Sequence, residues 1–233
     1  MAKIKYSALV SDMRNKLNGS VMSANRYGSY VRNKVTPVNP QTILQQQARQ
    51  LFGALSSSWR SLTQVQRESW IEGAKNFPFT DIFGDTKHLS GQSLFIKLNS
   101  NLEKVGLARI NAAPTPLGFD ELDYALADGE DVTVNGAGEV SLPIEWEAQP
   151  GFTGVVYLTD PVPAGISFVK NRFRLYGTIG DISTVGQETV PLHGNYNEMF
   201  GAPQAGTRVF ARIAFIRNAS GEQSTPIELV STQ

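Results

Sequence analysis

The chain has 233 residues, no cysteine, two histidines and a formal net charge of zero. The missing cysteine excludes disulfides, thiolate metal sites and cysteine nucleophiles. The zero charge is a cancellation: residues 1–110 hold 15 Lys/Arg against 6 Asp/Glu, and residues 111–233 hold 6 against 15. Poles of this kind favour docking on a surface of opposite sign, or head-to-tail contact.

Residues 1–38 read as an extended basic arm. Lys3, Lys5, Arg14, Lys16, Arg26, Arg32 and Lys34 stand there against one acid, Asp12. Tyr27, Tyr30 and Val31 favour strand, and residues 19–31 fit a short hairpin with its turn near Asn25 or Gly28. So polar a segment is expected to order only against something else. Asn39 as N-cap and Pro40 as first helical residue predict a helix ending near Trp59, with Leu44, Ala48, Leu51, Phe52, Leu55 and Trp59 on its apolar face. Thr63 and Gln66 form a capping-box pattern that opens a second helix to about Lys75, marked by Val65, Trp70, Ile71 and Ala74. The short joint predicts antiparallel neighbours. An aromatic loop over 76–84 carries Phe77, Phe79, Ile82 and Phe83. Ser90 then caps a third helix with Leu94, Phe95, Leu98, Leu102 and Val105 inward and Gly106 as its stop.

Composition changes after Ile110. Residues 111–116 read as a linker, and no helix is expected beyond them. Strands are predicted over 131–134, 138–147, 154–159, 167–176, 187–191, 207–217 and 226–230. Val140, Leu142, Ile144 and Trp146 alternate with polar residues, as do Val209, Ala211, Ile213 and Phe215. Short strands separated by Gly, Pro and Asn turns predict a β-sandwich of immunoglobulin or fibronectin type, with a barrel as the rival and Trp146 as a core aromatic. The expected fold class is α+β: an extended arm over 1–38, a three-helix domain over 39–110 and an all-β sandwich over 111–233.

Little in the chain points to catalysis. His88 precedes the third helix and His193 follows a predicted strand; neither has metal-ligand spacing around it. No nucleophile elbow, Walker or Rossmann glycine pattern occurs, and Gly136-Ala-Gly138 reads as a hairpin turn. The acidic stretches 120–123 and 128–131 do not match a calcium loop and read as solvated. No apolar run is long enough to span a membrane or to serve as a signal peptide. The expectation is a non-enzymatic chain with no cofactor, metal or membrane. Arg26, Tyr27, Tyr30, Arg32 and Lys34 are the candidate docking residues, arginine for bidentate pairing with carboxylates and tyrosine for rigid contact area. Phe77, Phe79 and Phe83 fit either an assembly contact or the lid of the helical core. Three alternatives stay open. The basic half fits phosphates, with tyrosines to stack on bases. Tyr157, Tyr176 and Tyr196 fit a carbohydrate or receptor platform. A pocket joining His88 or His193 to carboxylates would indicate an enzyme.

Residues 25–42, Asn-Arg-Tyr-Gly-Ser-Tyr-Val-Arg-Asn-Lys-Val-Thr-Pro-Val-Asn-Pro-Gln-Thr, are distinctive. With Gln47-Ala-Arg49, Phe52, Leu55, Ser58-Trp59, Leu62-Thr63, Gln66-Arg67, Trp70 and Leu89-Ser-Gly-Gln-Ser-Leu-Phe95, they resemble a family of small proteins encoded by tailed phages of Bacteroidota and their prophages. Some members carry a fibronectin-like C-terminal domain, which the segment from Leu117 matches in outline. The resemblance implies a virion structural protein assembled in the host cytoplasm, as a homo-oligomer or in several copies on the particle. Its implied partners are capsid, portal, neck or tail subunits. A capsid decoration role is the first expectation, and a neck or tail ring is the second. No catalytic residue comes with the resemblance.

Overall fold

A computed structural model describes residues 2–119, 124–126, 132–146, 150–181, 190–192 and 194–232. Residues 2–33 build a four-stranded sheet, not an extended arm. Strands β1 (Ala2–Ile4), β2 (Asn15–Leu17), β3 (Ser20–Asn25) and β4 (Gly28–Asn33) pair antiparallel in the order β1-β4-β3-β2. The expected hairpin is β3–β4, with Arg26 and Tyr27 as its two-residue turn. Asn25 Oδ1 accepts from the Tyr27 amide at 2.9 Å, and Gly28 takes the positive φ of 110° that closes the turn. The arm reading failed because β1 is not adjacent in sequence to the strand that pairs with it. Residues 5–14 carry the chain from one edge of the sheet to the other.

Helix α1 runs Ile43–Ser61 and starts later than expected. Gln41 has a φ of +51°, which no helix admits, so Thr42 takes the cap. The Asn39 side chain instead accepts from Arg49 Nη2 at 2.8 Å. Helix α2 (Gln64–Gly73) has both halves of the Thr63/Gln66 capping box, then a 3₁₀ turn over 74–76. The aromatic loop is a hairpin of β5 (Pro78–Thr80) and β6 (Thr86–His88). Helix α3 (Gly91–Lys104) is capped by Ser90 and stopped at Gly106, whose φ is +74°. Helices α1 and α2 pack chiefly on α3 rather than on each other. Their shared core holds Leu55, Leu62, Trp70, Ala74, Leu94, Phe95 and Leu98. Trp70 meets Phe95 edge-on at 5.3 Å, and its indole N–H donates to Asn111 O at 2.9 Å. Gly91 lets α3 approach closely, since an added Cβ would lie 2.8 Å from the Ile71 amide nitrogen. Val65 and Ile71, expected inside, are exposed.

The second half holds β7 (Tyr124–Leu126), β8 (Thr133–Val134), β9 (Val140–Leu142), β10 (Ile144–Trp146), β11 (Phe152–Leu158), β12 (Val162–Pro163), β13 (Arg174–Asp181), β14 (Val190–Leu192), α4 (Tyr196–Phe200), β15 (Thr207–Arg217) and β16 (Ile227–Thr232). The predicted strand over 138–147 breaks at Pro143, which has no amide to donate. Its two pieces join different sheets, β9 with β8 and β14, and β10 with β7. The side chains of Ile144 and Trp146 lie outside the described residues, as do residues 131, 147 and 187–189 of the predicted strands. The strand predicted over 167–176 is displaced toward the C-terminus, to β13, and 167–173 are irregular. Strand β15 matches its expected bounds. It pairs with β11 and β12 along one side and β16 along the other.

One core is shared by the five-stranded sheet and the three-stranded sheet β14-β9-β8. Val134, Val140 and Leu142 meet Val156, Leu158, Val209, Ala211, Ile213 and Phe215 there. Helix α4 was not expected, although Asn195 and Glu198 form a capping pattern. Asn195 Oδ1 accepts from the amides of Asn197 and Glu198, and the fully buried Tyr196 donates its hydroxyl to Thr159 O at 2.7 Å.

The two cored units meet where the β15–β16 connection sits on α3. Asn101, buried on α3, donates to Gly221 O at 2.9 Å. Gly221 has a φ of +72°, and a Cβ there would collide with the Leu98 carbonyl oxygen. The linker lies along α2, with the Ala113 amide donating to Ser69 Oγ at 3.3 Å.

Candidate functional site

The register of the N-terminal sheet sorts its side chains onto two faces. Lys3, Tyr30, Ser23, Arg32, Val21 and Lys16 share one face. Ala2, Ile4, Leu17, Met22, Ala24 and Val31 share the other with Asn15, Ser20, Ser29 and Asn33, and that face carries no charged residue. Tyr30 and Arg32 are therefore neighbours on the basic face. Arg26 and Tyr27 sit in the turn at the end of the sheet, and Lys34 lies just beyond β4, exposed.

The basic face is tied to the β5–β6 hairpin of the same chain. Lys3 Nζ donates to Asp81 Oδ2 at 3.0 Å, and Lys5 to Asp85 Oδ1 at 3.2 Å. The Asp81 side chain is only 2% exposed. Desolvation pushes its carboxyl upward, but the Lys3 ammonium and the amides of Phe83 and Asp85 outweigh it and hold the pKa down at about 2. Tyr27 meets Phe79 edge-on at 5.9 Å, and Lys5 lies over the Phe83 ring at 5.1 Å. A cleft of about 170 Å3 between sheet and hairpin is lined by Lys3, Asn25, Tyr27, Gly28, Tyr30 and Phe79. Two groups of candidate residues, far apart in sequence, are thus brought together inside one chain. Phe77 does something different and packs on the helical core. Nothing local singles out Asp81, because its partner is 78 residues away.

Lys16, Arg26, Arg32 and Lys34 make no ion pair among the described residues. None of residues 2–54 is buried. On α1 burial begins near the middle of the helix: Ile43, Leu44 and Phe52 are 74%, 52% and 59% exposed, Leu51 is half-buried against the helical core, and Leu55 is 0% exposed. The first half of α1 projects past the helical core that holds its second half.

The other candidate positions separate. Tyr176 and Tyr196 are buried, so they cannot form a surface platform with Tyr157. Burial raises the pKa of both hydroxyls. His88 is exposed on β6 beside an open depression of about 310 Å3, shared with Arg26, Ile71, Lys75 and the start of α3. His193 and the acidic stretches 120–123 and 128–131 lie outside the described residues. Among the described residues no group of three or more His, Asp and Glu could hold a metal ion, and no helix is long and apolar enough to cross a membrane. Comparison with known protein families, with curated proteins and with solved structures finds no match to this chain.

Proposed function

We propose that this chain is a non-enzymatic structural protein of a tailed-phage particle, anchored in the assembly by residues 2–54. The observation that carries the reading is that these residues form four strands and half a helix without burying one side chain. A small sheet without a covered hydrophobic face is marginal alone, so its missing burial is supplied by assembly. Arg26, Arg32 and Lys34 give the anchor its charge, and Tyr30 gives it contact area. The β unit is read as an immunoglobulin- or fibronectin-like sandwich that faces outward, which the core shared by two sheets supports. Decoration of the capsid is the first location and a neck or tail ring the second. Assembly in the host cytoplasm follows from either.

Tryptic digestion tests the reading. The free protein is cut at Lys34 and Arg49, and the same bonds are protected in purified particles. Equal cutting in both states, or absence of the chain from the particles, overturns it. The cations Lys16, Arg26, Arg32 and Lys34, which make no ion pair among the described residues, favour one second reading, contact with packaged DNA. In that case replacing Lys16 and Arg32 by Gln lowers the salt dependence of duplex retention by about two units.

A further inference from the structure

Two largely apolar surfaces lack a full covering layer among the described residues, the first half-buried and the second exposed. One is the charge-free face of the N-terminal sheet, with Ile4, Met22 and Val31 at its centre. An open depression of about 460 Å3 lies at one end of it, lined by Ala2, Ser20, Val31, Asn33 and Val35 together with Arg32. The other is the projecting half of α1, where Ile43, Leu44, Ala48 and Phe52 are exposed. A sheet face and a helix stripe are stable when each buries itself against another layer, and helix on sheet is one of the few solutions.

We propose that these surfaces cover each other between two copies of the chain. The projecting half of α1 from one copy lies across the charge-free sheet face of the other, and the exchange is reciprocal. The proposal rests on reading residues 2–54 as a docking surface, and it names what docks there.

Three observations select a second copy. The first is charge. The sheet face has none, α1 has no acid, and Arg49, the one base in its projecting half, is turned back onto Asn39. A strongly charged partner gains nothing on either surface, whereas the two match each other in polarity. The second is the connection. Residues 34–42 contain Pro37 and Pro40. Each fixes its own φ and holds the preceding residue extended, so the segment acts as a spacer that keeps α1 off its own sheet. The third is size. Residues 43–54 span roughly 18 Å as helix, close to the roughly 14 Å between the outer strands of a four-stranded sheet. One such contact is small beside the roughly 800 Å2 per partner of a stable interface. Reciprocal exchange provides two and closes with twofold symmetry, which is the logic of domain swapping.

The absence of native cysteine makes the test direct, because introduced thiols are the sole ones present. Ser20→Cys marks the sheet face and Phe52→Cys marks α1; neither position is in a core. The two full-length variants are mixed and treated with a short thiol–thiol crosslinker. The expected result is a mixed product severalfold above either like-with-like product. Equal yields overturn the proposal. So does an intrachain product in the doubly substituted chain at high dilution, which would mean that α1 covers its own sheet. Light scattering of the unmodified chain should give twice the monomer mass of 25.5 kDa. Leu44→Glu should return it to the monomer with an unchanged circular dichroism spectrum. A chain that is monomeric at its highest soluble concentration, but whose Leu44→Glu variant no longer enters particles, overturns the second copy and leaves the docking surface standing. Monomeric mass with unchanged incorporation overturns both.

Discussion

Residues 2–54 and residues 55–119 are similar in length and both rich in regular structure, yet they are held together by different forces. The second stretch has a core in which Trp70 and Phe95 are almost wholly buried among leucines. The first has backbone pairing, two lysine–aspartate ties and a tyrosine–phenylalanine contact; side chains such as Met22, Tyr30 and Val31 are half-buried and none is buried. Helix α1 crosses the boundary and shows both regimes within twelve residues of sequence. Regular secondary structure is therefore no sign of local stability. Buried apolar area is what distinguishes a unit that folds alone from one that is completed by contact.

The largest effect that sharpens this contrast is Trp70→Ala. It removes the largest buried side chain of the helical core and should cost about 3–5 kcal/mol of unfolding free energy, read by denaturant titration. A loss below about 1 kcal/mol would mean that the core is not the organising element.

Gly221→Ala comes next. The added Cβ meets the Leu98 carbonyl, and the positive φ disfavours any side chain. A loss of about 1–3 kcal/mol is expected, together with weaker amide protection on α3, because this residue seats the β unit on that helix. If protection on α3 is unchanged, the two cored units do not support each other.

Acid should detach the N-terminal sheet before it unfolds the cores. Asp81 titrates at about 2 in the folded chain against an ordinary 3.8. Its folded pKa is depressed, so its contribution is fully present above 3.8 and lost as pH falls toward 2. Between those values, amide exchange in residues 2–33 should accelerate while exchange in β11 and β15 does not. Lys3→Ala should shift that acceleration to higher pH. Simultaneous loss in both regions would break the comparison.

The smallest effect is Leu44→Ala, measured at a dilution where the protein is monomeric. It should change stability by no more than about 0.5 kcal/mol, whereas Leu55→Ala, eleven positions along the same helix, should cost about 2–5 kcal/mol. Equal losses would place Leu44 in a core.

Local chemistry made part of this fold legible. The Thr63/Gln66 box, the Ser90 cap and the Gly106 stop all lie where residue type and spacing put them. The alternation Val209, Ala211, Ile213, Phe215 correctly marks the inner face of β15. Errors arose where a distant partner decides. Asn39 and Pro40 are good helix openers, but the Asn39 side chain is taken by Arg49, ten residues on, and Thr42 takes the cap. Leu44 and Phe52 continue the apolar stripe of Leu55 without the cover that Leu55 has. Tyr176 and Tyr196 look like surface aromatics until the sheets close over them.

The same division applies to the candidate site. Arg26, Tyr27, Tyr30, Arg32 and Lys34 stand out by residue type alone. Their arrangement, with Tyr30 and Arg32 on one face and Tyr27 turned onto Phe79, follows from the β1–β4 pairing and the β5–β6 hairpin. The amino-acid order determines caps, turns, periodicity and the separation of charge between the two halves, because each depends on neighbours a few residues away. Tertiary structure alone decided that the opening residues form a sheet, that Asp81 holds it, and that half of α1 stands uncovered. Those outcomes depend on which surfaces meet across tens of residues, and burial is settled only when they do.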